Sequence, residues 1–178
     1  MVSLYTGYGD SGYTYCARIR AKVPKDHPIL EVMGAIDEAS SAIGLARSLL
    51  PDDAGEVADT LRHLQRLLYR IASHISGYGA VGEEDIAWLE RVADEYYGEP
   101  LREFILPGPP PSAAAVHLAR TVVRRLERKY VAAVRSGHLP SDTVLMRGIN
   151  RASDALFAIA VHLQRRYGGG PEKAKDSD

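Results

Sequence analysis

Four side chains suited to gripping an anion recur on one stretch of this sequence. His117, Arg120, Arg124 and Arg128 lie three and four residues apart, which sets them on one helix face, with Arg125 and Lys129 round the corner. Cations stacked in a stripe repel each other unless something anionic sits among them. A solvated basic face is the plain alternative, but this stripe adjoins the apolar positions of its segment instead of opposing them. Glu127 can neutralise one arginine; the others need a carboxylate from elsewhere, or a phosphate. Asp37, with Glu38 beside it, is one candidate, placed in mid-helix next to an inward Ile36 where propensity disfavours aspartate. Asn150, Arg151 and Asp154 form a second polar patch in an otherwise apolar stretch, readable also as a self-satisfied hydrogen-bond network.

A different kind of anion site is written near the N-terminus. Gly7-Tyr8-Gly9-Asp10-Ser11-Gly12 matches the dinucleotide pattern G-x-G-x-x-G, but that pattern needs a strand before it and a helix after it, and neither is evident. What remains is a loop whose glycines let backbone N–H groups face an anion, helped by the hydroxyls of Thr6, Ser11 and Thr14, or an ordinary glycine-rich turn. Neither Ser nor Cys sits in a recognisable nucleophile context, and the six histidines show no metal-ligand spacing. A protein-borne nucleophile or a zinc centre is therefore not expected.

These side chains must be positioned by helices. Residues 1–25 read as a structured loop. Ile29, Val32, Met33, Ile36, Ile43 and Leu50 then keep helical spacing, with Asp26 as a possible cap and Pro51 as a stop. Val57, Leu61, Leu64, Leu68, Ile71 and Ile75 mark a second helix closed by Gly77 and Gly79, and a shorter one is expected over 84–97. Residues 98–111 are a proline-stiffened loop. A fourth helix, with Ser112 as its natural N-cap, carries the arginine stripe to about Ser136, and a fifth runs from Ser141 or Asp142 to Gly168. The expectation is an all-α, up-and-down five-helix bundle with a glycine-rich N-terminal loop: one domain over 1–168, then a disordered tail over 169–178.

Bulk properties narrow the classes of partner. A net charge of −1 over 178 residues gives no field to gather nucleic acid or an anionic membrane. The single cysteine, Cys16, excludes an internal disulfide, no apolar run approaches the ~20 residues of a membrane span, and the N-terminus lacks signal-peptide blocks. A cytoplasmic protein is expected.

Taken in order, these segments resemble the PduO-type ATP:cob(I)alamin adenosyltransferases over residues 4–167. The motifs that carry the likeness are Thr-x-x-Gly-Asp-x-Gly-x-Thr from Thr6 to Thr14, Val-Pro-Lys-Asp from Val23 to Asp26, and Gly34 with Asp37 and Glu38. Phe-Ile-Leu-Pro-Gly from Phe104, His-x-Ala-Arg-Thr-Val-x-Arg-Arg-x-Glu-Arg from His117 to Arg128, and Asn-Arg-x-Ser-Asp from Asn150 to Asp154 complete it. The resemblance implies a homotrimer with sites between neighbouring subunits, and ATP, Mg²⁺ and cobalamin as the small molecules handled. It implies that Thr6, Gly9, Asp10, Gly12, Thr14 and Lys25 wrap the triphosphate, and that Arg124, Glu127 and Asn150 hold ATP from the helices. Arg120 would pair with Asp37 across the subunit boundary, and Phe104 would lie against the lower face of the corrin ring. The nucleophile is then the cobalt(I) centre, which attacks the ribose C5′ and expels triphosphate, so the protein need supply none. A cobalamin reductase and an adenosylcobalamin-dependent enzyme are the implied partners. Gly7 stands where the family usually has Arg or Lys, Ala39 and Ser40 replace Leu and Asn, and Pro109, Pro110 and Pro111 replace a Gly-Ser stretch. With those changes, a trimer of the same fold that binds ATP or a corrinoid as a carrier or regulator is the alternative.

Overall fold

The computed structural model describes residues 5–174. An antiparallel hairpin of β1 (Tyr13–Cys16) and β2 (Ala21–Pro24) precedes helices α1 (Pro28–Ser48), α2 (Gly55–Ser76), α3 (Glu83–Tyr97), α4 (Pro111–Arg135) and α5 (Thr143–Tyr167). The five helices agree with the periodicity of the sequence; the hairpin corrects the reading of 1–25 as loop alone. Its strands pair Tyr13 with Pro24 and Cys16 with Ala21, and only Cys16 and Val23 reach the core. Residues 1–4 of that expected loop lie outside the described residues.

Packing order follows from the apolar stripes. On α1, Ile29, Val32, Ile36, Ala39, Ile43 and Ala46 are buried, and on α4 Val116, Ala119, Val123, Leu126 and Tyr130 are. Those two faces lie together, α2 covers the other side of α1, and α5 packs between α4 and α3. Alanines at these seams (Ala39, Ala119, Ala155) let the helices approach closely. Burial on α5 extends beyond the stripe of Leu145, Ile149, Ala152, Leu156, Ile159 and Leu163 to Ala155, Ala158, Ala160 and Val161. Side chains close the bundle between α2 and α3, where the His63 and Trp88 rings lie 4.1 Å apart and Thr60 meets the Tyr96 hydroxyl at 3.2 Å.

Two caps differ from expectation. His27, not Asp26, caps α1, its Nδ1 accepting from the Ile29 amide at 3.3 Å, because Pro28 fixes the first helical position. Pro111 opens α4 in the same way, so Ser112 falls inside the first turn and is buried with no partner for its hydroxyl. Asp142 caps α5 as expected, accepting from the amides of Val144 and Leu145. The first part of the tail is also ordered by contact: Leu106 N–H donates to the Glu172 carbonyl, Ala174 N–H to the Phe104 carbonyl, and Lys173 pairs with Glu103. Disorder was expected from Gly168-Gly169-Gly170-Pro171 composition, but backbone pairing with a distant loop overrides it for 169–174; residues 175–178 lie outside the described residues.

One buried charge holds α2 to α3. Asp85 is 5% exposed and accepts two bonds from Arg70, at 2.6 and 2.9 Å, and one from the Gly82 amide at 3.0 Å. Replacing it removes a helix cap and a bidentate charged bond together. Asp85→Ala should therefore lose about 2 kcal/mol in urea unfolding, with the m-value unchanged.

Candidate functional site

The arginine face of α4 opens onto a cavity of about 280 Å³ lined by Arg120, Arg124, Ser153, Asp154, Phe157, Asp94 and Tyr97, among others. Spacing explains the convergence: Arg120 and Arg124 are one turn apart on α4, while Phe157 lies one turn beyond Ser153 and Asp154 on α5. Arg124 makes no hydrogen bond or ion pair among the described residues. Arg120 stacks its guanidinium over the Phe157 ring, 5.8 Å from the centroid, and its buried Nε has no partner. Burial and then the neighbouring Arg124 charge pull the Arg120 pKa below the ordinary arginine value. Two adjacent guanidiniums with no carboxylate paired to either are a receptor for an anionic ligand.

A second cavity, of about 430 Å³, shares Arg120, Tyr97 and Phe157 with the first and continues under Phe104 and Ile105. Phe104 itself is 89% exposed, an aromatic shelf left open by the described residues. The two cavities adjoin at these shared residues as a trough, with Arg124 on the wall of the first and Phe104 on the wall of the second.

Further along α4, Glu127 accepts from Asn150 Nδ2 at 3.1 Å. That replaces the expectation that Glu127 neutralises an arginine on its own helix. Arg151 in turn donates to Asn150 Oδ1 at 3.0 Å, to Glu90 at 3.0 Å and to Asp154 at 3.4 Å, which fixes the amide and leaves the patch satisfied. The outer stripe is paired elsewhere: Arg125 with Glu38 and Lys129 with Glu31 form a ladder between α4 and α1. Asp37 does not join it. It is exposed, and its one hydrogen bond comes from the Tyr69 hydroxyl at 3.4 Å.

The glycine segment folds as two successive turns, with Asp10 N–H donating to Gly7 O and Gly12 N–H to Gly9 O, both at 3.2 Å. Gly7 and Gly12 have φ of 71° and 79°, the left-handed region, so glycine at position 7 answers a backbone need. Lys25 reaches over this loop: its Nζ lies 3.0 Å from where a Cβ on Gly9 would stand. Thr14 is in β1, and Thr6 Oγ1 accepts from Tyr8 N–H at 3.5 Å. None of these residues lines the arginine cavity. The turn of the hairpin lies instead against the other end of the bundle, where Arg18 adjoins Tyr130 and Asp142, and Asp26, just after β2, adjoins Lys129 and Ala132. In one chain, then, the structure gathers Arg120, Arg124 and Phe104 into one trough, sets Glu127 and Asn150 beside it, and keeps the glycine loop, Lys25 and Asp37 away.

Sequence reasoning missed Phe157, Tyr97 and Asp94, which complete the trough. Phe157 had a signal: it is one of two phenylalanines in the chain and stands one turn beyond Asp154. Tyr97 and Asp94 had none, because only the packing of α3 on α5 brings them there.

Two histidines, His117 buried and His162 half-buried, give the protein an acid limit. His117 and His162 are held below the ordinary histidine pKa of 6.5, first by burial and then, against the Gln164 hydrogen bond in His117, by nearby arginines. A folded-state pKa lowered in this way contributes stability that is whole above about 6.5 and is lost as pH falls through the folded value, because the unfolded chain takes up protons first. The melting midpoint should fall between about pH 7 and pH 5, and His117→Gln should reduce that fall.

Fold and site together define a helical-bundle protein in which two guanidiniums without ion pairs and an exposed aromatic ring line adjoining cavities. The family model for cobalamin adenosyltransferase matches residues 4–163. The corrinoid adenosyltransferase of Bacillus subtilis (strain 168) is 36% identical over 179 residues, covering 95% of this chain and 90% of that protein. The mouse corrinoid adenosyltransferase MMAB is 33% identical over 190 residues, covering 98% and 78%. Among solved structures, a variant PduO-type ATP:corrinoid adenosyltransferase from Lactobacillus reuteri complexed with cobalamin and ATP superposes with a TM-score of 0.89 at 27% identity, covering 99% of this chain and 98% of that one. The chain belongs to the cobalamin adenosyltransferase family.

Proposed function

We propose that this chain transfers the 5′-deoxyadenosyl group of ATP to the cobalt of cob(I)alamin, giving adenosylcobalamin and triphosphate. The observation that carries the reading is the pair of adjoining cavities, with unpaired Arg124 in one, exposed Phe104 in the other and Arg120 lining both. Cobalt(I) supplies the electron pair for the new bond to C5′, the C5′–O bond breaks, and the electrons leave on triphosphate. Such a reaction asks the protein for alignment and for positive charge at the leaving group, not for a base or nucleophile. Arg124 supplies that charge, with Glu127 and Asn150 orienting the nucleotide. Mg²⁺ would enter as the counter-ion of the triphosphate, held by phosphate oxygens and water.

The distance of the glycine loop from its own trough supports a homotrimer in which Thr6, Gly9, Asp10, Gly12, Thr14 and Lys25 of one subunit close over the triphosphate held by the next. No helix among the described residues is long and apolar enough to cross a membrane. A cytoplasmic setting, with a reductase supplying cobalt(I) and an adenosylcobalamin-dependent enzyme receiving the product, suits both the single reduced Cys16 and the chemistry. An anaerobic assay with Mg-ATP and chemically reduced cobalamin tests the proposal. Loss of the cob(I)alamin absorbance, with a photolabile product and released triphosphate, is expected. ATP bound without turnover would replace it with the carrier reading.

A further inference from the structure

Gln164 is 1% exposed near the C-terminal end of α5, where an uncharged polar side chain needs partners for both ends of its amide. It has them, and they lie on different elements. Nε2 donates to the Leu106 carbonyl at 3.1 Å, and Oε1 lies 3.2 Å from Nε2 of the buried His117 on α4. The Leu106 carbonyl can only accept, so it fixes which end of the amide faces it; Oε1 must then accept from His117, which places the histidine proton on Nε2. That leaves His117 Nδ1 as a bare lone pair, buried with no partner, and a lone pair tolerates this better than an N–H would.

What this pair holds is the loop that presents Phe104. Leu106, two residues on, is gripped from both sides: its amide by Glu172 at 2.8 Å, its carbonyl by Gln164. The next turn of the loop lies so close to the end of α5 that a Cβ on Gly168 would collide with the Pro109 carbonyl. Loop and helix end are therefore fitted to each other: Gln164 ties Leu106 to the end of α5, while Arg165 beside it holds the Tyr97 and Glu99 carbonyls at the start of the loop.

We infer that Gln164, backed by His117, is a positioning residue: a buried latch that sets the loop of Phe104 against the bundle and thereby tunes the corrinoid end of the site without touching either substrate. The role in catalysis rests on the proposed function; the latch itself does not.

The test uses Gln164→Met, which keeps length and apolar bulk but offers neither donor nor acceptor, and Gln164→Asn, which stays polar but is too short to span both partners. Hydrogen–deuterium exchange of the substrate-free protein should rise about tenfold over 103–108 in both, with 149–160 unchanged. In the assay the corrinoid KM should rise about tenfold while the ATP KM stays within about twofold, and His117→Gln, which retains an N–H near the Nε2 position, should behave nearly as wild type. Unchanged exchange over 103–108, or corrinoid and ATP KM rising together, would overturn the inference. If the wild-type protein does not turn over, the proposed function falls and the exchange result alone decides the latch.

Discussion

Arg124→Ala is expected to lower turnover by about a thousandfold or more while the fold survives. The guanidinium of Arg124 lies on the cavity wall with no hydrogen bond or ion pair among the described residues, so its removal breaks no structural contact. Its neighbours Glu127 and Asn150 are bonded to each other and Asp154 to Arg151, so none is left unpaired. The loss must therefore appear in the reaction. Leaving triphosphate gains negative charge as C5′–O breaks, and a fixed cation beside it acts more strongly on that state than on bound ATP. Turnover should fall far more than ATP affinity, and Arg124→Lys should recover only part, because an ammonium cannot make the forked contact. The checks are kcat and ATP affinity side by side, with the melting midpoint within about 2 °C of wild type. Near-normal turnover of Arg124→Ala would remove Arg124 from the site and the cationic trough from the mechanism.

The bundle was legible because each helix repeats its buried positions over several turns: Val57, Leu61, Leu64, Leu68, Ile71 and Ile75 leave no other reading, and all are buried. The hairpin was not, because each strand is four residues long and its outward side is tyrosine; Tyr13 and Tyr15 stay exposed, so the alternation marks only Cys16 and Val23. Tail residues 169–174 misled for a related reason: their order comes from backbone bonds to Leu106 and Phe104, which composition does not encode. The arginine stripe could be read from spacing, yet its division could not. Arg125 and Lys129 are used up by Glu38 and Glu31 of α1, and Arg120 and Arg124 are left for a ligand, a split set by which helix lies on which side. Gln164 was invisible for the same reason, since a glutamine one residue past an inward leucine reads as surface until the loop above it is in place.

Reversing the charges of Arg120 and Asp37 should break the assembly singly and restore it together. Neither makes an ion pair among the described residues. Arg120 is partly buried against Phe157 with an unpartnered Nε and a second guanidinium beside it, an arrangement that burial and like charge both disfavour. Asp37 stands exposed on α1 with only the Tyr69 hydroxyl at 3.4 Å, while the ladder between α1 and α4 is made by Glu38 and Glu31 instead. A neighbouring subunit that brings Asp37 to Arg120 relieves both, and a close charge pair at an interface couples by about 2–5 kcal/mol. Arg120→Asp and Asp37→Arg should each shift the protein toward monomer in sedimentation at micromolar concentration, since a closed ring repeats every contact. Combining Arg120→Asp with Asp37→Arg should recover assembly, with more salt dependence than wild type if the new pair is more exposed. Turnover need not return with it, because the reversal places a carboxylate in the trough beside Arg124. Single variants that stay fully assembled would show that the trimer is held elsewhere. A wild-type protein that sediments as a monomer would remove the subunit boundary from the site altogether.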